Sequence, residues 1–243
     1  MTRVNIEQIE ILNTTKKDFL HYHLYPRLNR KQQTFVVLAD TATLMHAEKD
    51  RIYKQIVQSA DYVVAGGEGI ISAAKYKKEP FKERIEAYDV MLDLIKFAQV
   101  QGLSCYFLGG KDYINEKAVL EVEKMFPEIS IAGHHHGSIS IEDSQIATNM
   151  KQANPDLIFV SLKKAKQEQW IATYKNQFQK GMFIGVGDSL ELLAGEREQT
   201  PRNWKKLNLE WLYRLLKKPS RFSQTMRKIG FLLRLVLNTT KLG

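Results

Sequence analysis

Short, almost uninterrupted apolar runs alternate along this chain with longer stretches of helical periodicity. The strong runs are residues 35–38, 62–65, 105–108, 157–160 and 182–186, and a weaker one is 129–131. Strands that are apolar along their whole length are typical of parallel sheets buried on both faces. Their alternation with helices predicts an α/β fold in which a parallel sheet is covered by helices on both faces.

Two of the intervening segments show a clear helical pattern. Residues 89–101 place Val90, Leu94 and Ala98 on one face, and residues 115–126 form a second predicted helix. Apolar residues three or four positions apart lie on the same side of an α-helix. Each predicted helix separates two predicted strands, as the crossover connections of a parallel sheet require.

The residues that follow each run are the candidate site, because ligands of such sheets bind beyond the carboxyl ends of the strands. The segments are 39–41, 66–69, 109–111, 133–137, 161–168 and 187–188. Five of the six contain glycine, a basic residue or both, and glycine lets the backbone approach a phosphate. No Walker A motif or strict G-x-G-x-x-G is present, so neither ATP nor NAD is predicted.

The excess positive charge lies almost entirely in the last part of the chain. Residues 202–243 contain eleven Lys or Arg and one acid, whereas the whole chain carries +9 at pH 7, so residues 1–201 sum to −1. The same segment is apolar at 209–216 and 231–237. A basic and apolar segment predicts contact with an anionic membrane surface. Its longest apolar run is interrupted by Arg234 and is shorter than the ~20 residues that span a bilayer.

A sequence pI of about 9.4 also raises the hypothesis of a nucleic-acid-binding module. No known recognition motif lies between the basic residues, and their apolar neighbours favour lipid. We therefore predict no nucleic-acid partner.

The single cysteine, Cys105, lies in an apolar run, which predicts a buried thiol in a reducing compartment. The first residues lack the pattern of a signal peptide, so we expect a cytoplasmic protein.

Several motifs resemble the WecG/TagA/CpsF family of bacterial glycosyltransferases over about residues 34–222. The strongest is 209–215, Leu-Glu-Trp-Leu-Tyr-Arg-Leu, followed by Pro219 and Arg221. The others are 107–111, 154–156, 166–168, 185–187 and Glu83-Arg84 with Asp89. The resemblance implies a Rossmann-like glycosyltransferase domain, residues 1–200, and a basic amphipathic helical appendage, residues 201–243, that docks on a membrane.

The resemblance also implies an activity. Family members transfer N-acetylmannosamine or a related N-acetylhexosamine from a UDP-sugar to a polyprenyl-diphosphate-linked sugar, with inversion and without a metal or other cofactor. The product enters teichoic acid, capsule or another surface glycan. We therefore expect a peripheral enzyme on the inner face of the bacterial plasma membrane, with a homo-oligomer or a partner glycosyltransferase as further expected partners.

Four residues are candidates for the chemistry. The resemblance implies that arginines of the appendage complete the active site, which here are Arg214 and Arg221, and a guanidinium group binds phosphate oxygens well. The family's proposed catalytic Asp corresponds to Gly66 in this chain. Asp40 and Glu68 are the carboxylates that can replace it as base. Two alternatives stay open: Asp40 caps the helix that follows it, and Glu68 faces solvent.

Further residues are predicted to bind substrate, mainly by the resemblance. They are Arg84, Asp89, Gly109, Gly110, His136, Gln167, Glu168, Gly185, Gly187 and Glu191. A structural ion pair is an equal alternative for Arg84 and Asp89, and a surface turn for His136. Glu191 follows Asp188 by three residues, which is the spacing of a helix-capping turn. The three consecutive histidines at 134–136 cannot all point at one ion, so no metal site is predicted.

Sequence changes cluster around the expected base. The family's Thr-x-Asn after the first strand is Leu38-Ala39-Asp40 here, and its Gly-x-Pro-Lys-Gln-Glu loop is residues 163–168 without the Gly and Pro. Two hypotheses follow. The first is an active transferase with a remodelled base. The second is a catalytically inactive relative that binds UDP-sugar or membrane and supports a partner glycosyltransferase.

Overall fold

The computed structural model describes residues 2–76, 78–163, 165–198, 200–201, 204, 212–213, 216 and 222–239. In these ranges eight strands form one sheet in the order β1-β2-β4-β3-β8-β7-β5-β6. The strands are β1 (Arg3–Ile6), β2 (Ile9–Leu12), β3 (Thr34–Ala39), β4 (Tyr62–Ala65), β5 (Ser104–Gly109), β6 (Ser130–His135), β7 (Leu157–Ser161) and β8 (Met182–Gly185). Every neighbouring pair is parallel except β1 with β2. The predicted Rossmann-like α/β sheet is confirmed, and each apolar run forms a strand.

Helices connect the strands and cover both faces of the sheet. They are α1 (Lys16–Asp18), a π-helical segment (Phe19–Leu24), α2 (Tyr25–Asn29), α3 (Thr41–Lys49), α4 (Arg51–Gln58), α5 (Glu68–Tyr76), α6 (Ala87–Gln101), α7 (Asp112–Met125), α8 (Ser144–Ala153), α9 (Lys166–Tyr174) with a 3₁₀ turn (Lys175–Gln177), α10 (Ser189–Leu193) and α11 (Phe222–Thr239). The two predicted helices, 89–101 and 115–126, correspond to α6 and α7.

Alternate residues of the central strands divide the interior into two cores. Phe35 and Val37 of β3 point to a core shared with α3, α4, α5, α8, α9 and α11. Val36, between them, points to the opposite core, which is shared with α2, α6, α7 and α10. Successive side chains of a strand face opposite sides of a sheet. Because both sides are covered, every position of β7 is buried, which explains its continuous apolar sequence.

The N-terminal hairpin was not predicted from the sequence. β1 alternates between exposed and buried residues, and β2 does so until its last two residues, which are both buried, but each strand has only four residues. The two turn residues, Glu7 and Gln8, have φ angles of 52° and 66°. Hairpin turns of this kind normally contain Asn or Gly, which tolerate positive φ. The turn therefore lacked the residues by which such hairpins are identified.

The last described helix packs against the body of the domain. Phe231 and Leu235 of α11 are buried in the core that also contains Leu44 of α3 and Ile70 of α5. A β-carbon placed at Gly69 would lie 2.9 Å from Leu232 Cδ1, so α11 passes directly over the start of α5. The C-terminal helix thus covers the carboxyl ends of β3 and β4.

Candidate functional site

A cleft of about 840 Å³ opens at the carboxyl ends of β3, β4, β7 and β8. The turns after β4 and β8 contribute residues 66–69 and 185–189, and Thr225, Lys228 and Leu232 of α11 form another wall. The cleft also brings together seven of the twelve predicted site residues that the structure describes. Those that line it are Asp40, Glu68, Arg84, Gln167, Glu168, Gly185 and Gly187.

Asp40 begins α3 and faces the cleft. Its Oδ1 accepts hydrogen bonds from the Thr43 backbone N–H at 2.9 Å and the Thr43 hydroxyl at 3.3 Å, and the Asp40 N–H donates to Thr43 Oγ1. This capping box confirms that Asp40 caps the helix. The other oxygen, Oδ2, lies 3.8 Å from Lys228 Nζ, and about half of the side chain is exposed. Capping therefore leaves one oxygen directed toward the cleft.

The turn after β4 passes very close to Asp40. A β-carbon at Gly67 would lie 2.7 Å from both Cα and Cβ of Asp40, a distance that real side chains do not adopt. A β-carbon at Gly66 would meet Leu38 at 3.3 Å, which needs only a small adjustment. Only glycine fits at 67, whereas a larger residue fits at 66 with slight movement. Asp40 thus lies directly beside the position where the resemblance places the family's catalytic Asp.

Glu68 and Arg84 form an ion pair on the same side of the cleft. Arg84 Nη1 lies 3.4 Å from Glu68 Oε2, Nη2 lies 3.9 Å from Glu86 Oε2, and Nε donates to the Gly66 carbonyl at 3.1 Å. The hypothesis that Glu68 faces solvent is wrong, since its side chain is only 24% exposed. The ion-pair alternative for Arg84 is confirmed with Glu68 and Glu86 as its partners, and substrate contact by Arg84 stays a prediction.

Gln167 and Glu168 lie at the floor of the cleft, at the start of α9. Glu168 is 6% exposed, and its oxygens accept from the Tyr53 hydroxyl at 3.1 Å and from Gln167 Nε2 at 2.8 Å. Gln167 Oε1 accepts from the Gly187 N–H at 3.0 Å. Burial raises the pKa of the Glu168 carboxyl, because the charged form loses its hydration.

The other predicted binding residues lie outside the lining of this cleft. They are Asp89, Gly109, Gly110, His136 and Glu191. Gly109 ends β5 and Gly110 follows it, and the Gly137 N–H donates to the Gly110 carbonyl at 2.7 Å. His136 follows β6, and its Nδ1 is buried without a hydrogen-bond partner among the described residues. Substrate binding by these five residues stays a prediction.

The capping interpretation of Glu191 is wrong. Asp188 precedes α10, but its side chain makes no capping hydrogen bond and instead pairs with Arg197. Glu191 Oε2 is buried and has no hydrogen-bond partner within the described ranges.

The three consecutive histidines do not gather around one point. His134 Nδ1 lies 2.7 Å from Asn115 Oδ1, and His135 Nδ1 lies 2.8 Å from the His136 carbonyl oxygen. Within the described part of the chain no three His, Cys, Asp or Glu side chains form a group that could hold a metal ion. The protein's own oxygen atoms therefore hold two of the three rings.

The appendage is described only in part. The predicted catalytic residues Arg214 and Arg221 lie outside the described residues, as do Lys217 and Lys218. Lys228 of α11 is a cation at the cleft that sequence reasoning missed. The sequence shows that the C-terminal segment is basic, but no local pattern indicates which of its lysines approaches Asp40. Tyr53 was missed as well, because a buried tyrosine on a helix resembles any core residue.

The outward face of α11 is apolar. Phe222 and Leu233 are each 57% exposed and Met226 is 37% exposed. At 100° per residue these three side chains share one side of the helix, opposite the buried Phe231 and Leu235. These three residues therefore form an exposed apolar face, whereas Ile229 is partly buried; Ile229 and Leu233 both also line the cleft. A surface helix normally exposes polar residues opposite its buried stripe, so this face is unusual.

None of the described helices combines the length and apolar character needed to cross a bilayer. The apolar side of α11 runs beside the opening of the cleft, where Lys228 and Leu232 lie.

Comparison with known proteins gives consistent matches. The model of the glycosyl transferase WecG/TagA/CpsF family matches residues 4–242. An N-acetylglucosaminyldiphosphoundecaprenol N-acetyl-beta-D-mannosaminyltransferase of Staphylococcus aureus (strain NCTC 8325 / PS 47) is 37% identical over 182 residues, which are 75% of this chain and 71% of the relative. Its counterpart in strain COL matches equally, and that of strain MRSA252 is 36% identical over the same coverage.

Proposed function

The chain belongs to the glycosyl transferase WecG/TagA/CpsF family, and from that premise we propose that it transfers an N-acetylhexosamine, of the N-acetylmannosamine type, from a UDP-sugar to a polyprenyl-diphosphate-linked sugar. The acceptor is inferred from the relatives, which are transferases that act on N-acetylglucosaminyldiphosphoundecaprenol. The product is an intermediate of a cell-surface glycan such as teichoic acid, capsule or exopolysaccharide.

One observation carries this proposal: the cleft lies between glycine-rich strand ends and a helix whose outer face is apolar. The turns at 66–69 and 185–187 form one side, and Lys228 and Leu232 form the other. A nucleotide-sugar needs close backbone approach and cationic partners, and glycine turns permit that approach. A polyprenyl chain needs an apolar surface beside the same opening. The exposed Phe222 and Leu233 supply it.

We assign membrane docking to residues 201–243 and the catalytic domain to residues 1–200. Exposed apolar side chains on a helix that also carries Arg227 and Lys228 favour the interface of an anionic bilayer. The enzyme then works as a peripheral protein on the inner face of the plasma membrane, where the lipid-linked acceptor is presented.

The proposed reaction is a single displacement with inversion and needs no metal. A carboxylate removes the proton from the acceptor hydroxyl, the hydroxyl oxygen attacks the anomeric carbon, and the bond from that carbon to UDP breaks. UDP departs with the bonding electron pair. Cations of the appendage, Arg214 and Arg221 with Lys228, bind its diphosphate oxygens and stabilise the developing charge.

Asp40 is the base that the geometry favours. Its Oδ2 faces the cleft, and the residue lies beside the Gly66 position. Glu68 is a weaker candidate because Arg84 pairs with it and the pair is largely buried. A general base needs an oxygen within hydrogen-bond distance of the hydroxyl that it deprotonates. We therefore assign Asp40 as the base and Glu68 as a partner that positions Arg84.

The test is UDP release by the full-length protein in liposomes, with UDP-N-acetylhexosamines and a short polyprenyl-diphosphate-N-acetylglucosamine analogue. We expect turnover that Arg214→Ala and Asp40→Asn each reduce at least 100-fold. Asparagine also caps helices, so Asp40→Asn removes the charge and keeps the fold. Asp143→Asn is the matched control, because Asp143 caps α8 through its side chain in the same way and lies outside the cleft lining. Arg30→Ala, at an exposed arginine, controls for Arg214→Ala.

A second candidate function rests on Gly66: a family member without catalysis that binds UDP-sugar and supports a partner glycosyltransferase. Its signature is UDP binding without turnover in the same liposomes. Turnover that is insensitive to both Asp40→Asn and Glu68→Gln would instead reject the assigned base while keeping the transferase.

A further inference from the structure

Glu168 is a buried carboxyl group that the proposed reaction does not use. It lies at the floor of the cleft with 6% of its surface exposed. Tyr53 donates to Oε2 and Gln167 donates to Oε1. Since both oxygens accept hydrogen bonds, this geometry fits the ionised carboxylate. Burying a charge is costly unless it is paired with donors, so these two donors are what makes the position tolerable.

Gln167 is held at both ends of its amide. Its Nε2 donates to Glu168, and its Oε1 accepts from the Gly187 N–H at 3.0 Å. A β-carbon at Gly185 would lie 2.1 Å from Gln167 Nε2, so the amide also rests directly on the end of β8. Rotating the amide by half a turn would bring its NH₂ against the Gly187 N–H and its oxygen against the carboxylate. The charge of Glu168 therefore selects one orientation.

On the proposed function, we infer that Tyr53 and Glu168 are positioning residues for the donor. They fix the Gln167 amide, and through it they hold the Gly187 turn at the mouth of the cleft. The turn carries the backbone that we expect to meet the donor's phosphates, so its position decides how well the donor is bound. Tyr53 acts from α4 and Glu168 from α9, so the pair ties two helices to the end of β8.

The network extends toward Asp40. Two titratable groups face Glu168, the Tyr53 hydroxyl and the Asp40 carboxylate. The His46 ring lies edge-on to the Tyr53 ring, with the ring centroids 5.8 Å apart. Lys228 lies beyond Asp40. Burial raises the pKa of Glu168 and the charge of Asp40 adds to this, whereas the hydrogen bonds from Gln167 and Tyr53 partly offset it.

Protonation of Glu168 would turn one accepting oxygen into a hydroxyl donor and remove the negative charge. The Tyr53 hydroxyl can accept from that donor, so the Tyr53 contact would reverse its direction, while the Gln167 amide would lose the charge that selects its orientation. Because the pKa of Glu168 is raised, this happens above the usual range near 4.3. We therefore expect donor affinity to fall on acidification at a higher pH than an exposed glutamate would give.

The experiment compares Glu168→Gln and Tyr53→Phe with the wild type by calorimetric titration of UDP across pH. In Glu168→Gln the negative charge is lost and an NH₂ group replaces one acceptor oxygen, so the Tyr53 bond is kept only by reversing its direction and the charge no longer selects the Gln167 orientation. We expect Glu168→Gln to weaken UDP binding about tenfold and to abolish the loss of UDP affinity at acidic pH. Tyr53→Phe should weaken UDP binding about threefold and shift the loss of affinity to higher pH. Losses of this size match single hydrogen bonds.

Tyr174→Phe is the matched control. Tyr174 is also a buried tyrosine with one hydrogen bond, from its hydroxyl to the Ile141 carbonyl at 2.6 Å, but it does not line the cleft. We expect its UDP affinity to stay within twofold of the wild type. An equal loss in Tyr174→Phe and Tyr53→Phe would indicate general loosening of the core and overturn the positioning role.

A second readout does not depend on the transferase assignment. Hydrogen exchange at the Gly187 amide reports its bond to Gln167 in the free protein. Faster exchange in Glu168→Gln supports positioning, and unchanged exchange with unchanged UDP affinity overturns it. If the wild type binds no UDP, the donor assignment fails while the exchange result still decides whether Glu168 holds the turn. Loss of turnover with UDP affinity and exchange unchanged would place Glu168 at the reacting atoms and reject the positioning role.

Discussion

Lys228 Nζ lies 3.8 Å from Asp40 Oδ2, so the C-terminal helix and the turn after β3 meet as opposite charges at the cleft. Both side chains are nearly half exposed. Ion pairs of this kind contribute about 0–1 kcal/mol to stability. The contact therefore matters more for the distribution of charge at the site than for the stability of the fold.

Removing the Lys228 charge should lower activity and leave the fold intact. We expect Lys228→Met to reduce UDP release about 3- to 10-fold, because a cation near the departing diphosphate is lost, and to change the free energy of unfolding by less than about 1 kcal/mol. Denaturant unfolding and the liposome assay measure the two effects. Lys117→Met, which breaks an exposed ion pair with Glu196 outside the cleft, should leave UDP release unchanged.

Restoring a carboxylate at Gly66 should replace Asp40. A side chain at Gly66 needs a shift of only a few tenths of an ångström against Leu38. We therefore expect Gly66→Asp to fold, and the double variant Asp40→Asn/Gly66→Asp to regain UDP release at least tenfold over Asp40→Asn. Failure of the folded double variant to regain activity would count against a base at this point of the cleft.

Gly67→Ala is the contrasting change one residue along. Its β-carbon would overlap the Cα and Cβ atoms of Asp40, and such overpacking typically costs about 1–3 kcal/mol. We expect Gly67→Ala to be destabilised by that amount in denaturant unfolding, whereas Gly66→Ala stays within about 1 kcal/mol of the wild type. Equal stabilities of the two variants would contradict the close approach of the turn to Asp40.

Charges on the exposed side of α11 should release the protein from membranes. Leu233→Asp is expected to reduce co-sedimentation with vesicles of phosphatidylglycerol and phosphatidylcholine at least fivefold, because a carboxylate replaces an apolar contact and repels the anionic surface. Leu120→Asp is the matched control, since Leu120 on α7 is 55% exposed and lies away from α11. Similar losses in both variants would show binding through general hydrophobicity.

Asp156 should make the fold sensitive to acid. Burial alone would raise its pKa, but hydrogen bonds from Lys180 and from the Ser104 N–H and hydroxyl lower the pKa below its ordinary value. A depressed carboxyl pKa contributes stability that is present above the unfolded value, near 3.9, and is lost as the pH falls through the folded value. Asp156→Asn should therefore lose about 1.5–3 kcal/mol at neutral pH.

The same variant should unfold with a shallower dependence on pH below 4. Denaturant unfolding at a series of pH values compares it with Asp143→Asn, which alters an exposed helix cap. If the free energy of unfolding of Asp156→Asn depends on pH as steeply as that of the wild type, other carboxyl groups produce the acid sensitivity.

The candidate site could be predicted from the sequence only in outline. Strand ends are visible in the sequence, so Gly66–Gly69, Gln167 and Gly187 were located before the structure. The sheet then places β3, β4, β7 and β8 side by side, and their ends form one cleft. Gly109 and Gly110 end a strand as well, but β5 lies one position further along the sheet. Strand order, which depends on crossovers between distant segments, decided which turns share the cleft.

Local patterns in the sequence were enough to predict the α/β class and the six strands after residue 30. They also predicted the helix that begins at Asp40 and the basic, apolar C-terminal segment. Such features can be predicted because periodicity and composition depend on neighbouring residues. The turn at Glu7 and Gln8 lacked the usual residues and needed the sheet to stabilise it. Tertiary structure alone brought Tyr53 to Glu168, 115 residues away, and Lys228 to Asp40. Such contacts depend on how whole helices pack against the sheet, and no local pattern contains that information.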